Sequence, residues 1–223
     1  MPYEWENMYI LIVGAGGIGQ KLAELALKNK DDVVVIEKEK EKCEEFAKKY
    51  DAVVINADAT VKETLEDAEI ERADALVATA DDATNLLVIS LAKNMGVNAL
   101  VAVVRNEESR PMFIEKGANI VGNPNAITAE YLYRAVQRPM IKDFMTLGGQ
   151  AEIFKITLPE DSKLVGKMLK EINLPKRVSI VAIERNSDII IPVEDTRLAA
   201  GDSITVLARE DKIDKAMELF CKK

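Results

Sequence analysis

The chain has 223 residues, of which 48% are hydrophobic and 30% are charged, and its formal net charge is −8. This length allows packed cores in two small domains. The net negative charge, with acids and bases mixed along the chain, argues against nucleic-acid binding. The absence of histidine removes the commonest general base and the commonest zinc ligand. No apolar run approaches the ~20 residues of a transmembrane helix and no signal-peptide pattern begins the chain, so the sequence predicts a soluble, cytoplasmic protein without direct membrane insertion.

The first predicted element is a strand at 9–13 that leads through a glycine-rich turn into a helix. Gly14, Gly16 and Gly19 have the spacing of a dinucleotide-binding turn: the first permits the tight turn, the second lets the backbone approach a pyrophosphate, and the third lets helix and strand pack closely. The helix N-terminus offers free N–H groups and a partial positive charge to phosphate. The predicted phosphate site comprises Gly14, Ala15, Gly16, Gly17, Ile18 and Gly19.

The second predicted strand, 33–36, ends at Glu37, which lies about twenty residues beyond the glycines, the usual place of a ribose-binding acid. A carboxylate there accepts hydrogen bonds from ribose hydroxyls and repels a 2′-phosphate, which favours NAD(H) or another adenine nucleotide over NADP(H). Alternatively, Glu37 only begins the solvated charge run 37–42. Lys38 is included with Glu37 in the predicted cofactor site.

Strand-like runs and helical patterns continue to alternate. Further strands are predicted at 52–55, 75–79, 99–104 and 119–121. One helix is predicted after Glu37, with Cys43 and Phe46 on one face, and another after a capping box at 60–63. Three more helices are predicted at 82–95, around 112–116 and at 127–137. Such alternation implies right-handed crossovers and a parallel sheet with helices on both faces. The sequence therefore predicts an α/β fold, a Rossmann-like doubly wound domain over residues 8–138.

A different pattern follows a predicted hinge or linker at 139–150, which contains Pro139 and the pair Gly148-Gly149. Strands are predicted at 152–158, 178–183, 189–191 and 203–207, and helices at 163–172 and 212–220. They form a small C-terminal α+β domain over residues 151–223, on the edge of independent stability and expected to gain from dimerisation. Cys43 and Cys221 are interpreted as core or surface residues rather than as redox or metal groups.

Strand ends supply the remaining site candidates, because ligands of such sheets bind outside the carboxyl ends of the strands. Asp58 and Ala59 follow the third strand, and Asp58 either contacts the adenosine end of a ligand or holds a turn or helix start. Ala78, Thr79 and Ala80 follow the fourth strand and leave room for nicotinamide or terminal phosphates. In the next helix Asn85 is expected to face the cleft, whereas Asp81 or Asp82 is expected to cap that helix.

Four segments of this domain, taken together, resemble the TrkA/KtrA family of potassium transport regulators, which are built on RCK (regulator of potassium conductance) domains. They are GAGGIG at 14–19, NADAT at 56–60, ATADD at 78–82 and GANIV at 117–121, and IPVEDTRL at 191–198 with AAGDSITV at 199–206 resembles the family's C-terminal domain. The resemblance implies a cytoplasmic, non-enzymatic nucleotide switch. Its homodimers would assemble into a ring of four or eight chains that gates a separate membrane potassium transporter of the Trk or Ktr type.

Two departures from the family bear on the ligand. Many members carry arginine where this chain has Gly17 and Val103, and these arginines would neutralise phosphates. NAD(H) is therefore the first expected ligand, with ADP, AMP or ATP as alternatives. Arg105 compensates for the missing arginines only if its side chain faces the same side of the strand as Val103. Members that place a divalent cation at the dimer interface tend to have glutamate at the position of Asn125, so no metal site is predicted.

Other function classes stay open at this stage. One is an NAD-dependent oxidoreductase with a Rossmann domain, although the region after Gln150 offers no histidine and no obvious lysine–tyrosine pair, and no catalytic residue is predicted. Another is a ligand sensor for a different membrane partner. In the C-terminal domain Arg185, Asn186 and Pro192 fall where some relatives bind a cyclic dinucleotide, but a hairpin explains them equally well.

Two expectations concern assembly. The helix at 127–137 is predicted to form a homodimer through apolar residues at helical spacing, namely Tyr131, Leu132, Ala135 and Val136. Residues 1–7, which contain the only tryptophan, Trp5, form either a loose extension or a cover for a neighbouring subunit.

Overall fold

The computed structural model describes residues 7–221, apart from the side chain of Cys221, so Trp5 lies outside the described residues. The chain divides into two compact units, one ending at Thr128 and the other beginning at Ala129. The strands are β1 Tyr9–Val13, β2 Asp32–Glu37, β3 Val53–Asn56, β4 Ala75–Ala78, β5 Ala99–Val103, β6 Ile120–Gly122, β7 Ile141–Leu147, β8 Ala151–Thr157, β9 Val178–Arg185, β10 Asp188–Ile190 and β11 Ser203–Arg209. The α-helices are α1 Gly17–Lys28, α2 Lys40–Lys49, α3 Lys62–Asp67, α4 Asp82–Asn94, α5 Arg110–Glu115, α6 Pro124–Gln137 and α7 Ile213–Cys221.

The first unit contains a six-stranded parallel sheet in the order β3-β2-β1-β4-β5-β6. Apolar side chains are buried on both faces of its central strands, such as Leu11 and Ile12 on β1, and they join two separate core clusters. Sheets covered on both faces use continuous apolar strands of this kind. The predicted Rossmann-like doubly wound fold is confirmed, and the strand order reverses between β1 and β4.

The second unit contains a five-stranded antiparallel sheet in the order β10-β9-β11-β8-β7. Its core includes Phe154 of β8 and Ile204 of β11, together with Ile213, Ala216 and Phe220 of α7. The three α7 residues recur at the spacing of one helix face, so α7 closes one side of this core. The predicted small α+β architecture is confirmed.

Three local predictions are wrong. The segment 139–150 includes a strand, because Ile141–Leu147 pairs with β8 and Gly148 and Gly149, both at positive φ, make the tight turn between the two strands. The segment 163–172 is not an α-helix. Gly166 at φ +82° interrupts it, and the N–H groups of Leu169 and Lys170 donate to carbonyl groups of residues 194–196 instead.

The third error is the capping box at 60–63. The hydroxyl of Thr60 donates to Asp58 at 2.7 Å, and α3 begins after Val61 without a side-chain cap. Because the N-cap position falls at Val61, Thr60 lies one residue too early for its hydroxyl to accept the N–H at N3 of this helix. Among the described residues, no helix is both long and apolar enough to cross a membrane.

Candidate functional site

The glycine turn joins β1 to α1 and leaves the start of α1 open. Gly14 has φ +101°, which favours glycine, and a Cβ on Gly19 would lie 1.9 Å from the carbonyl oxygen of Gly14. Gly16 is the N-cap of α1, and because glycine has no side chain, this helix start has no side-chain cap. A Cβ built on Gly16 or Gly17 meets no atom of residues 7–221 within 4 Å. The side-chain positions of Gly16 and Gly17 therefore border open space at the start of α1, where a helix offers free N–H groups to an anion.

Glu37 joins the end of β2 to this turn. Its carboxylate is buried and accepts the N–H of Ala15 at 2.8 Å and the N–H of Glu39 at 2.9 Å. The Cys43 thiol donates to the Glu37 carbonyl at 3.2 Å, and burial and the Glu37 charge raise the pKa of this thiol. Because an ionised carboxylate offers about four acceptor positions, Glu37 retains capacity for ribose hydroxyls.

A cleft in two adjoining compartments lies at the carboxyl ends of β1, β2, β3 and β4. The first compartment holds about 380 Å³, including space open to solvent, and is lined by Val13, Gly14, Ile36, Glu37, Lys38, Ala57, Asp58, Ala59, Ala80, Asp81 and Thr84. The second holds about 510 Å³ by the same measure and is lined by Gly14, Gly16, Glu37, Lys38, Glu39, Lys42, Thr79, Ala80, Asp81 and Arg105. The cleft lies where the strand order reverses between β1 and β4, and ligands of open α/β sheets bind at such a reversal.

The cleft brings together eight of the predicted site residues: Gly14, Gly16, Glu37, Lys38, Asp58, Ala59, Thr79 and Ala80. Six others do not line it, namely Ala15, Gly17, Ile18, Gly19, Ala78 and Asn85. Ala15 and Ala78 are buried, whereas Ile18 is exposed on α1.

Asn85 requires a correction, because its side chain is fully buried rather than facing the cleft. Its amide accepts the N–H of Ala80 at 2.8 Å and donates to the carbonyl oxygen of Val103 at 2.8 Å. Asn85 therefore holds the ends of β4 and β5 beside α4 and positions Ala80 at the cleft wall.

The acids at the cleft also hold turns. Asp58 accepts the N–H of Thr60 at 2.9 Å as well as its hydroxyl, and these bonds lower the pKa of Asp58. Asp81 caps α4, as predicted for Asp81 or Asp82, by accepting the N–H of Thr84 at 3.0 Å, and this contact lowers the pKa of Asp81. The turn role of Asp58 is thus present, and a ligand contact by the same side chain stays a prediction.

Three cationic side chains line the second compartment, namely Lys38, Lys42 and Arg105, and sequence reasoning missed Lys42. Lys42 pairs with Glu39 at 2.8 Å, one helical turn away. Lys38 and Arg105, by contrast, make no side-chain hydrogen bond or salt bridge to other residues within the described range. The sequence drew attention to Arg105 because it lies two residues after Val103. No sequence signal indicated that β5 ends at Val103 and leaves Arg105 at the cleft.

Comparison with known proteins identifies the family. The TrkA-N domain matches residues 10–124, and the TrkA-C domain matches residues 153–220. A Trk system potassium uptake protein TrkA homolog of Methanothermobacter thermautotrophicus is 36% identical over 215 residues, which cover 96% of this chain and 99% of that protein. The chain belongs to the TrkA family. A TrkA homolog of Pyrococcus abyssi is 30% identical over 224 residues, which cover 97% of this chain and 99% of that protein.

Solved structures agree with the TrkA fold. The GsuK channel bound to NAD superposes with a TM-score of 0.68 at 17% identity, over 99% of this chain and 40% of that chain. GsuK bound to ADP superposes with a TM-score of 0.55 at 19% identity, over 60% of this chain and 35% of that chain. This TrkA protein therefore shares its fold with RCK structures, and the family resemblance found in its sequence is confirmed.

Proposed function

We propose that this TrkA protein is a nucleotide-binding regulatory subunit of a potassium transport system that gates a separate membrane transporter and catalyses no reaction. The observation that carries the proposal is the two-compartment cleft beside the open start of α1. Relatives named Trk system potassium uptake proteins, similar over nearly the full chain, support the transport role.

The proposed ligand is an adenine nucleotide, with NAD(H) first and ADP, AMP or ATP as alternatives. Its pyrophosphate lies over Gly16 and the first N–H groups of α1, and its ribose contacts Glu37. The adenosine end enters the first compartment next to Asp58 and Ala59, whose short side chains suit a flat base. GsuK structures with NAD and ADP, which share the fold, support this ligand class.

The proposed assembly is a homodimer that builds a ring of four or eight chains on the cytoplasmic side of a Trk- or Ktr-type transporter. On α6 the side chains of Leu132 and Val136 are 58% and 78% exposed, which supports burial of this helix against a second copy. Tyr131 is 45% exposed, and its ring stacks on Phe144 of the same chain at a centroid distance of 5.5 Å.

Calorimetric titration of the purified protein with NAD⁺, NADH, ATP, ADP and AMP tests this function. We expect saturable binding of at least one nucleotide, without hydride transfer or hydrolysis during prolonged incubation. Absence of binding by all five contradicts the nucleotide role. Turnover that follows the protein through purification contradicts the regulatory role and favours the oxidoreductase.

A further inference from the structure

Arg105 occupies an unusual position for an arginine of this protein. Its side chain lines the second compartment of the cleft. Among the described residues, its guanidinium has no hydrogen-bond or salt-bridge partner. Among the arginines in the described range, only Arg177 also has a guanidinium without a hydrogen-bond or salt-bridge partner, and Arg177 lies in the other unit. An unpaired guanidinium at a cleft wall is available for an anion, and charge-assisted hydrogen bonds are about twice as strong as neutral ones.

The main chain around Arg105 is held from two sides. Residues 104–106, which we call the β5 loop, follow β5 directly. The carboxylate of Asp82, in the first turn of α4, accepts the N–H of Arg105 at 2.8 Å and the N–H of Asn106 at 3.1 Å. On the other side the amide of Asn123 donates to the carbonyl oxygen of Arg105 at 3.4 Å.

Asn123 also holds the start of α6. Its side chain is buried, and its oxygen accepts the N–H of Ala126 at 3.1 Å, while its carbonyl accepts the N–H of Ile127 at 3.0 Å. The same side-chain amide donates to Glu107 at 3.2 Å. A single buried residue therefore contacts both the β5 loop and the first turn of α6.

We propose that the β5 loop couples ligand binding to α6: Arg105 binds the anionic part of a nucleotide beyond its first phosphate, and Asn123 carries the resulting shift of the loop to the first turn of α6. This inference rests on the proposed nucleotide-binding function. An anion bound by Arg105 draws the β5 loop toward the cleft. Because buried polar groups keep their hydrogen bonds, Asn123 and the first turn of α6 follow.

Two variants separate the roles of binding and coupling. Arg105→Gln removes the charge while keeping a similar length. Asn123→Ser keeps an oxygen that caps α6 but removes the amide donor to Arg105, and serine is a good N-cap residue. Arg177→Gln is the matched control, because Arg177 is also an exposed arginine without a partner among the described residues.

Calorimetry with ADP and AMP, combined with hydrogen exchange of residues 124–128 with and without ADP, provides the test. In the unaltered protein ADP should bind more tightly than AMP and should change exchange at the start of α6. Arg105→Gln should weaken ADP binding at least about tenfold, the lower end for a hydrogen bond to a charged group, and leave AMP binding within threefold. Asn123→Ser should bind ADP within threefold of the unaltered protein but show no ADP-dependent change in α6, and Arg177→Gln should behave as the unaltered protein.

The outcomes distinguish this inference from the function on which it rests. Binding of another nucleotide without binding of ADP, full ADP affinity in Arg105→Gln, or an ADP-dependent change in α6 that persists in Asn123→Ser overturns the coupling role. If none of the five nucleotides binds the unaltered protein, the proposed function itself fails.

Discussion

Gly16 determines whether a phosphate can approach the start of α1. A Cβ at this position meets no atom of the described residues within 4 Å, so the side chain of Gly16→Val would occupy space left for ligand without disturbing the core. We expect this variant to lose detectable nucleotide binding in calorimetry and to keep its melting temperature. Gly122→Val is the control, because a Cβ there also meets no atom of the described part of the chain within 4 Å and Gly122 does not line the cleft. Unchanged affinity in Gly16→Val contradicts the placement of the pyrophosphate.

Glu37 is expected to contribute to affinity through the ribose hydroxyls. Glu37→Ala should weaken nucleotide binding by roughly 1.5–3 kcal/mol, the range for hydrogen bonds to a charged group, part of which arises because the N–H of Ala15 loses its acceptor. Glu41→Ala, which removes an exposed acid on α2, should leave binding unchanged. Equal affinities of the two variants, measured by calorimetry, would exclude Glu37 from the ligand site.

Sequence spacing predicted those cleft residues whose position depends on local backbone geometry. Gly14, Gly16 and Glu37 belong to this group, because a strand, a tight turn and a helix fix their relation over a short stretch of chain. Asn85 was misplaced because its partner, the carbonyl of Val103, is 18 residues away and becomes its neighbour only when β4 and β5 pair. Arg105 stayed uncertain for a similar reason, since the end of β5 decides which way it faces.

Within the C-terminal sheet, Asp202 provides a pH-dependent contribution to stability. Its buried carboxylate binds the Arg185 guanidinium at 2.7 Å and the N–H of Ala199 at 2.7 Å. Burial raises the pKa of Asp202, but these contacts outweigh it and hold the pKa below the ordinary 3.8. The pair therefore stabilises the folded chain above about pH 4, and this contribution is lost as the pH falls through the folded-state pKa.

Asp202→Asn should accordingly lower the free energy of unfolding of the C-terminal unit by about 2 kcal/mol at neutral pH, a value reduced from that of a fully buried pair because Arg185 is partly exposed. The difference from the unaltered protein should shrink as the pH approaches 3. Native-state hydrogen exchange of β9 and β11 amides measures it. Asp188→Asn, at an exposed acid of β10, should have little effect, and a pH-independent loss in Asp202→Asn would contradict the assigned cause.

The exposed face of α6 is the proposed dimer contact. Leu132→Asp places a charge where the second copy would pack, so we expect light scattering at micromolar concentration to show monomers. Leu25→Asp, at a leucine of α1 that is 53% exposed, is the matched control and should preserve the dimer. An unaltered protein that is monomeric under these conditions, or a Leu132→Asp dimer, argues against α6 as the contact.

The elements of the first sheet were predictable because strands buried on both faces appear as continuous apolar runs such as 33–36. The C-terminal unit was harder to predict. The strand β7 lies at a sheet edge with most of its side chains exposed, so its apolar signal is weak, and the flanking Pro139 and glycine pair indicated a linker. Exposed strands depend on long-range pairing, which a local pattern does not encode.

At the scale of the whole molecule, the central claim is that bound nucleotide changes the shape of an assembled ring. A ligand shifts a conformational equilibrium only through its different affinities for the two shapes, so two nucleotides must stabilise different states. NAD⁺ and NADH, or ADP and AMP, are the expected opposing pairs, because the arginines that many TrkA/KtrA members use for phosphate are absent at Gly17 and Val103.

Small-angle X-ray scattering of the full-length assembly, with each nucleotide at saturation and without nucleotide, tests this claim most directly. We expect the profiles of at least one opposing pair to differ from each other, and the Gly16→Val assembly to give one profile under all conditions. Superimposable profiles of the unaltered protein with every bound nucleotide and without nucleotide would contradict a ligand-driven ring and leave a nucleotide-binding scaffold.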